Sequence, residues 1–173
     1  SEELIQVQRR ILGGEVFPWV ENADRVRAHL PGMSTYTAAG QIASTVTVAH
    51  QDHFPFRNKY GGHATFNTTW MPLMDIDGSV GGLTIMKNSH AKGFHKHFMR
   101  NGEVLGALSS KKELGEWLDS GAVVAVGEAE PDDNVEWLRS DYHVGDILIF
   151  HRLMVHKGLP NMSDKIRLST DFR

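Results

Sequence analysis

Polar and apolar positions alternate over the last nine residues, KIRLSTDFR. Ile166, Leu168, Thr170 and Phe172 fall on one face and Arg167, Ser169 and Asp171 on the other, the period-two pattern of a strand. Upstream runs have the same character. STVTVAH (44–50) is β-branched, ATFNTTWMPLM (64–74) mixes threonine with aromatics, and GGLTIM (81–86) and GDILIFH (145–151) are short apolar strands. Gly61-Gly62, Asp77-Gly78, Gly81-Gly82 and Pro160-Asn161 punctuate them as turns. The first residues read differently. SEELIQVQRRILGG predicts a short helix, with Ser1 as cap, Glu2 and Glu3 at its positive end and Gly13-Gly14 as its stop. NADRVRAHLPG (22–32) predicts a second, ended by Pro31-Gly32.

A third helix is predicted near 110–120, where Ser110 and Glu113 have capping-box spacing, Gly121 ends the run and Leu114, Trp117 and Leu118 form a core face. Short strands at irregular spacing with one inserted helix predict a mainly β fold, a sandwich or jelly-roll barrel rather than alternating βα units. A length of 173 residues suits a single domain. Its expected division is a short helical part over 1–33 and a jelly-roll core over 34–173.

Composition changes this picture in one respect. The chain is 40% hydrophobic and 23% charged, with a net charge of −3 and no basic block, so nothing favours a nucleic-acid or anionic-membrane partner. No apolar run is long enough to cross a membrane and no export signal is evident, which makes the cytoplasm the expected compartment. Ten histidines stand against zero cysteines. Disulfides, thiolate zinc sites and a cysteine nucleophile are thereby excluded, and any metal site must use nitrogen and oxygen ligands.

His50 and Asp52 flank one glutamine in VAHQDHFPF. Residues i and i+2 of a strand share a face about 7 Å apart, so the two side chains can converge on one point. Alone, such a pair reads as a solvated strand end. The distal segment GDILIFHRLMVHKGLPNMSDKIRLSTDFR adds His156 and, eleven residues later, Arg167. An arginine on the inward face of a barrel strand is an expensive cation unless an anion meets it, and its fork suits a carboxylate. Two histidines and one carboxylate with open positions opposite are the donor set of non-haem Fe(II) oxygenases.

At these residues the chain resembles the phytanoyl-CoA dioxygenase family of Fe(II)/2-oxoglutarate oxygenases. The likeness runs from about Ser34 to Arg173 through HQD (50–52), Trp70 with MPLMDID, GGLTIMKNSH, GDILIFHRLMVHKGLPN and RLSTDFR. It implies a double-stranded β-helix (a cupin-like jelly roll) with iron at its open mouth. It further implies that His50, Asp52 and His156 bind Fe(II), that Arg167 holds the far carboxylate of 2-oxoglutarate, and that Trp70 lies near this cosubstrate. O2 is the second cosubstrate. Gly158 stands where relatives often carry a serine or threonine that helps hold the carboxylate, and Ser169, on Arg167's face, is the expected substitute. KNSH lacks the usual Pro-Gly, and relatives usually continue beyond the position of Arg173. Halogenating relatives replace the carboxylate ligand with a small residue. Asp52 occupies that place, so hydroxylation of an unactivated carbon in a small molecule is the expected reaction.

His53, Phe56 and Arg57 follow the His-x-Asp directly and are expected to line the substrate cavity, with Phe54 and Phe56 equally suited to the core. Together with Lys59 and His63 they favour a polar or anionic substrate over a plain hydrocarbon. His95 and His97, in the polar HAKGFHKHFMRNG, are expected on a mobile lid or substrate-facing loop, and His151 as a structural histidine. Two rivals remain: a cupin-type metalloenzyme without 2-oxoglutarate, which has no need of Arg167, and an inactive metal-binding relative.

Overall fold

The computed structural model describes residues 1–16, 25–32, 34–36, 42–44, 47–53, 65–101, 103–107, 119, 121, 123–129 and 134–173. It opens on helix α1 (Glu2–Leu12), where the Ser1 hydroxyl accepts from the Leu4 amide at 3.4 Å and Gly13, at φ 73°, closes the end in the left-handed conformation. Glycine is needed there because a Cβ is strained at positive φ. The expected inserted helix near 110–120 lies, apart from Asp119, outside the described residues.

Among the described residues twelve strands follow α1, all pairing antiparallel. Four of them, β1 (Arg25–His29), β12 (Arg167–Phe172), β4 (Asn67–Pro72) and β10 (Leu148–His151), make the principal sheet in that order. β11 (His156–Leu159), β5 (Gly82–Met86) and β9 (Trp137–Leu138) make a second sheet. β7 (Glu103–Ala107), β6 (His97–Arg100) and β8 (Val123–Val126) make a third, and β2 (Ser34–Tyr36) with β3 (Ile42–Ser44) a hairpin. Trp70, Ile76, Val80 and Phe150 form the main apolar cluster, with Leu83, Tyr142 and Leu148 packed against it. This cluster joins the first two sheets. The result is the expected double-stranded β-helix.

Two expectations are corrected. Residues 25–29 form strand β1, not a helix, and pair along their length with β12, from Arg25 opposite Asp171 to His29 opposite Arg167. The jelly-roll core therefore begins before residue 34. Segment 89–100 is not a loose lid: a short 3-10 turn (Ser89–Lys92) leads into β6, and His95 and His97 are 2% and 0% exposed.

The principal sheet also has an unusual sidedness. Arg167, Ser169 and Asp171 on β12 are buried, whereas Leu168 is exposed. The polar face of this strand points inward because it lines a cavity. On the outer side, buried Gln8 of α1 donates to the Thr69 hydroxyl at 2.8 Å and accepts from the Asn67 amide at 3.2 Å. No described helix is long and apolar enough to cross a membrane.

Candidate metal centre

Backbone pairing brings His50 and His156 face to face. Each donates its amide to the other's carbonyl at 3.0 Å, a closed antiparallel pair that sets both side chains on one face. The ring centroids lie 4.3 Å apart. Asp52 sits in the turn just after His50, and its Oδ1 is 3.4 Å from His50 Nε2 and 3.8 Å from His156 Nε2. One ligand atom from each residue falls within 4.8 Å of the others. Among the described residues this is the only grouping of three or more such side chains that could hold a metal ion.

The tautomers suit a metal. His50 Nδ1 is 2.8 Å from the Val48 carbonyl oxygen and His156 Nδ1 is 2.9 Å from that of Met154. A carbonyl only accepts, so both Nδ1 atoms carry the proton and both Nε2 lone pairs face Asp52. Burial alone would push the Asp52 carboxyl up. The neighbouring imidazoles of His156 and His50 and the Arg173 guanidinium outweigh it and hold the carboxyl well below its usual range. Burial pushes His156 down to about 4, with His50 adding to the effect and Asp52 opposing it. A carboxylate oxygen and two imidazole Nε2 atoms are a donor set that divalent iron takes.

The depressed His156 gives a stability prediction for the metal-free protein. An unfolded chain takes up this proton near pH 6.5, the folded protein only near pH 4. Stability is therefore complete above about pH 6.5 and falls as pH drops toward 4. Between pH 7 and 4.5 the loss from this residue is on the order of 2–3 kcal/mol. Urea unfolding at the two pH values measures it; an equal drop in His156→Asn would mean that other groups cause it.

Gln51, between the two ligands, was not singled out by sequence reasoning. It is 0% exposed. Its Nε2 donates to the Gly93 carbonyl at 2.8 Å and the Leu153 carbonyl at 2.6 Å, its Oε1 accepts from the His95 amide at 2.8 Å, and its own amide donates to His97 Nε2 at 3.2 Å. The ligand turn is thus tied both to the segment before β6 and to the approach to His156. Gln51→Leu strands three backbone groups and should cost about 3 kcal/mol or more in thermal unfolding. Metal affinity should fall about 10–100-fold, the scale for losing a residue that orients ligands; unchanged affinity in a destabilised variant would assign Gln51 to the fold alone.

A cavity lined by His50 and His156 opens beside Asp52, with about 480 Å³ of space counting that open to solvent. Trp70, Phe150, Leu83, Arg167, Ser169 and Thr47 are among its lining residues. Arg167 is 3% exposed and donates from Nη1 to the carbonyls of Leu159 at 2.9 Å and Val80 at 3.3 Å. Its Nε is buried without a partner among the described residues. Desolvation pushes its pKa down to about 10. A buried cation with an unused donor is a site waiting for an anion.

Gly81, at φ 92°, makes room for that guanidinium: a Cβ there would lie 2.8 Å from Arg167 Nη1 and 2.5 Å from the Pro160 carbonyl oxygen. A Cβ on Gly158 would lie 3.7 Å from Arg167 Nη2, so position 158 does face the cation. Trp70 meets Tyr142 edge-on at 4.9 Å. Asn161 shapes the link from β11 to β12, donating to the His29 carbonyl at 3.0 Å and the Lys165 carbonyl at 2.7 Å.

Of the expected substrate residues, Phe56 and Arg57 lie outside the described residues, as do Phe54, Lys59 and His63. His53 meets Phe94 edge-on at 4.9 Å and is not among the residues lining the cavity. His151 accepts from the Leu153 amide at 3.1 Å, a structural role. Sequence reasoning passed over Thr68 and Arg173, which bond Asp52, and Asp171 and Arg27, which hold Arg173 in turn. Asp171 and Arg173 continue the period-two face of Arg167 and Ser169, and that signal could have found them.

The profile of the phytanoyl-CoA dioxygenase (PhyH) family matches residues 2–169. The 1-deoxypentalenic acid 11-beta-hydroxylase of Streptomyces exfoliatus is 30% identical over 173 residues, covering 98% of this chain and 52% of that protein. The chain thus spans about half the length of the curated relatives it matches. EctD from S. alaskensis, solved with 2-oxoglutarate and 5-hydroxyectoine, superposes with a TM-score of 0.58 at 15% identity, over 99% of this chain and 48% of that one. The epimerase SnoN, solved with Fe3+, alpha-ketoglutarate and nogalamycin RO, does so with 0.56 at 18% identity, over 98% and 53%.

Proposed function

The chain belongs to the phytanoyl-CoA dioxygenase family, and from that premise we propose that it is the catalytic core of an Fe(II)- and 2-oxoglutarate-dependent dioxygenase that hydroxylates a small organic molecule. His50, Asp52 and His156 hold the iron. The observation that carries the reading is Arg167, a buried guanidinium whose Nε has no partner among the described residues and which lines the same cavity as His50 and His156. A cupin-type enzyme that uses no 2-oxoglutarate has no use for this cation.

Bound iron would supply the activation of O2, coupled to oxidation of 2-oxoglutarate to succinate and CO2 as one oxygen atom enters the substrate C–H bond. The chain supplies the frame. Arg167 pairs with the far carboxylate of 2-oxoglutarate, with Ser169 beside it on β12. Trp70, Phe150 and Leu83 wall the cavity and exclude water, which strengthens the charge pairing inside it. Asp52 fills the position that would have to be small for a halide, so hydroxylation is favoured. The named activity of the Streptomyces relative supports the same reaction class.

Succinate formation tests the reading. The intact protein should release succinate only when Fe(II), 2-oxoglutarate and O2 are all present, with slow uncoupled release before any substrate is added. Succinate release independent of Fe(II), or none with all three supplied, would count against it.

A further inference from the structure

The two oxygens of Asp52 are treated differently by the protein. Oδ1 faces the histidine Nε2 atoms. Oδ2 receives the Thr68 hydroxyl, Arg173 Nη2 at 2.7 Å and Arg173 Nε at 3.2 Å. Three donors converge on an oxygen with two lone pairs, so Oδ2 has no capacity left for another partner. Arg173 is itself held. Its Nη1 donates to Asp171 Oδ2 at 2.7 Å, and Asp171 is gripped in turn by Arg27, through Nε on Oδ1 and Nη2 on Oδ2 at 3.2 Å. Asp52, Asp171 and Arg173 side chains are only 1%, 4% and 6% exposed. In this dry setting charge-assisted bonds are strong and the geometry is fixed.

We propose that Thr68 and Arg173 are positioning residues that restrict Asp52 to one-oxygen metal binding, keeping a coordination position open beside the cosubstrate. This rests on the functional reading above and adds to it. An octahedral ion has six positions. Three protein donors and a two-point 2-oxoglutarate chelate leave one; a carboxylate that swings to bind through both oxygens leaves none. Released from Thr68 and Arg173, Asp52 would be free to close the position that O2 must reach.

Mn(II) in place of Fe(II) reads this directly, because water-proton relaxation reports water in the ion's inner sphere and needs no turnover. With saturating Mn(II) and 2-oxoglutarate, the wild-type protein should retain strong inner-sphere relaxation. Arg173→Ala should lower it by about threefold or more per bound ion, the loss of the last open position. Thr68→Val, which keeps the side-chain volume, should lower it less and in the same direction. Arg173→Lys, which keeps a donor for Oδ2, should stay near wild type. A merely structural role would change how much ion binds, not the relaxation of each bound ion. Wild-type relaxation in Arg173→Ala would overturn the assignment; if that variant does not fold, wild-type relaxation in Thr68→Val overturns it. A wild-type protein that binds no Mn(II), or whose relaxation ignores 2-oxoglutarate, would instead remove the metal-site reading, and this one with it.

Discussion

Asp52→Ala abolishes 2-oxoglutarate turnover and weakens metal binding by more than about 100-fold, beyond the range seen when only a residue behind a ligand is lost. Asp52 is the one anion among the three residues proposed to hold the metal, and its burial makes the charge irreplaceable by water. The substitution also removes the acceptor of Arg173 Nε and Nη2, so part of the damage falls on the fold. Asp52→Asn separates the two effects. It keeps the shape and an acceptor for Thr68 and Arg173, and should fold while losing most metal affinity. Calorimetric titration with Mn(II) and a succinate assay check both variants. Unimpaired turnover in Asp52→Ala would show that the carboxylate is not a ligand.

Arg167→Ala weakens 2-oxoglutarate binding by about 2–5 kcal/mol, the scale for truncating one partner of a buried charge pair. Metal affinity in the absence of cosubstrate should hold, since Arg167 donates to carbonyls and not to the ligand residues. Lysine should rescue only partly, offering a point charge where the site is built around a fork. The stability of the cosubstrate-free protein should change little. Arg167→Met, apolar and of similar length, removes a desolvated cation but also the donor to the Leu159 and Val80 carbonyls, and the two effects oppose one another. The same variant should lose the upward melting shift that 2-oxoglutarate gives the wild type. A retained shift would mean that the cosubstrate binds elsewhere.

The site was legible in the sequence because its chemistry depends on residue types at fixed spacings. His50, Asp52 and His156 come within reach of one another, and Arg167 lines the same cavity as the two histidines. What could not be read was which face of a strand looks inward. Apolar Ile166 and Leu168 suggest the core by composition, yet they are 50% and 38% exposed, while Arg167, Ser169 and Asp171 are buried around the cavity. Strand β1 was missed for a related reason. ADRVRAHL is rich in helix formers, but pairing of β1 with β12 overrides local propensity. The alternation of exposed Val26 and Ala28 with half-buried Arg27 and His29 was the quieter signal of a strand. The clamp on Asp52 is harder still, since Arg27 and Asp171 lie 144 residues apart in sequence and no local pattern joins them. His95 and His97 looked like surface histidines because their neighbours are polar. They are buried because Gln51 binds the His95 amide and His97 accepts from Gln51.

An anaerobic titration with Fe(II) and 2-oxoglutarate, followed by visible absorption, tests the central claim most directly. Iron chelated by 2-oxoglutarate has a weak charge-transfer band that neither component shows alone. The account predicts that the band grows with 2-oxoglutarate in the wild-type protein, needs a far higher concentration in Arg167→Ala, and fails to form in His156→Ala. A band of wild-type strength in His156→Ala, or no band in the wild-type protein, would contradict it.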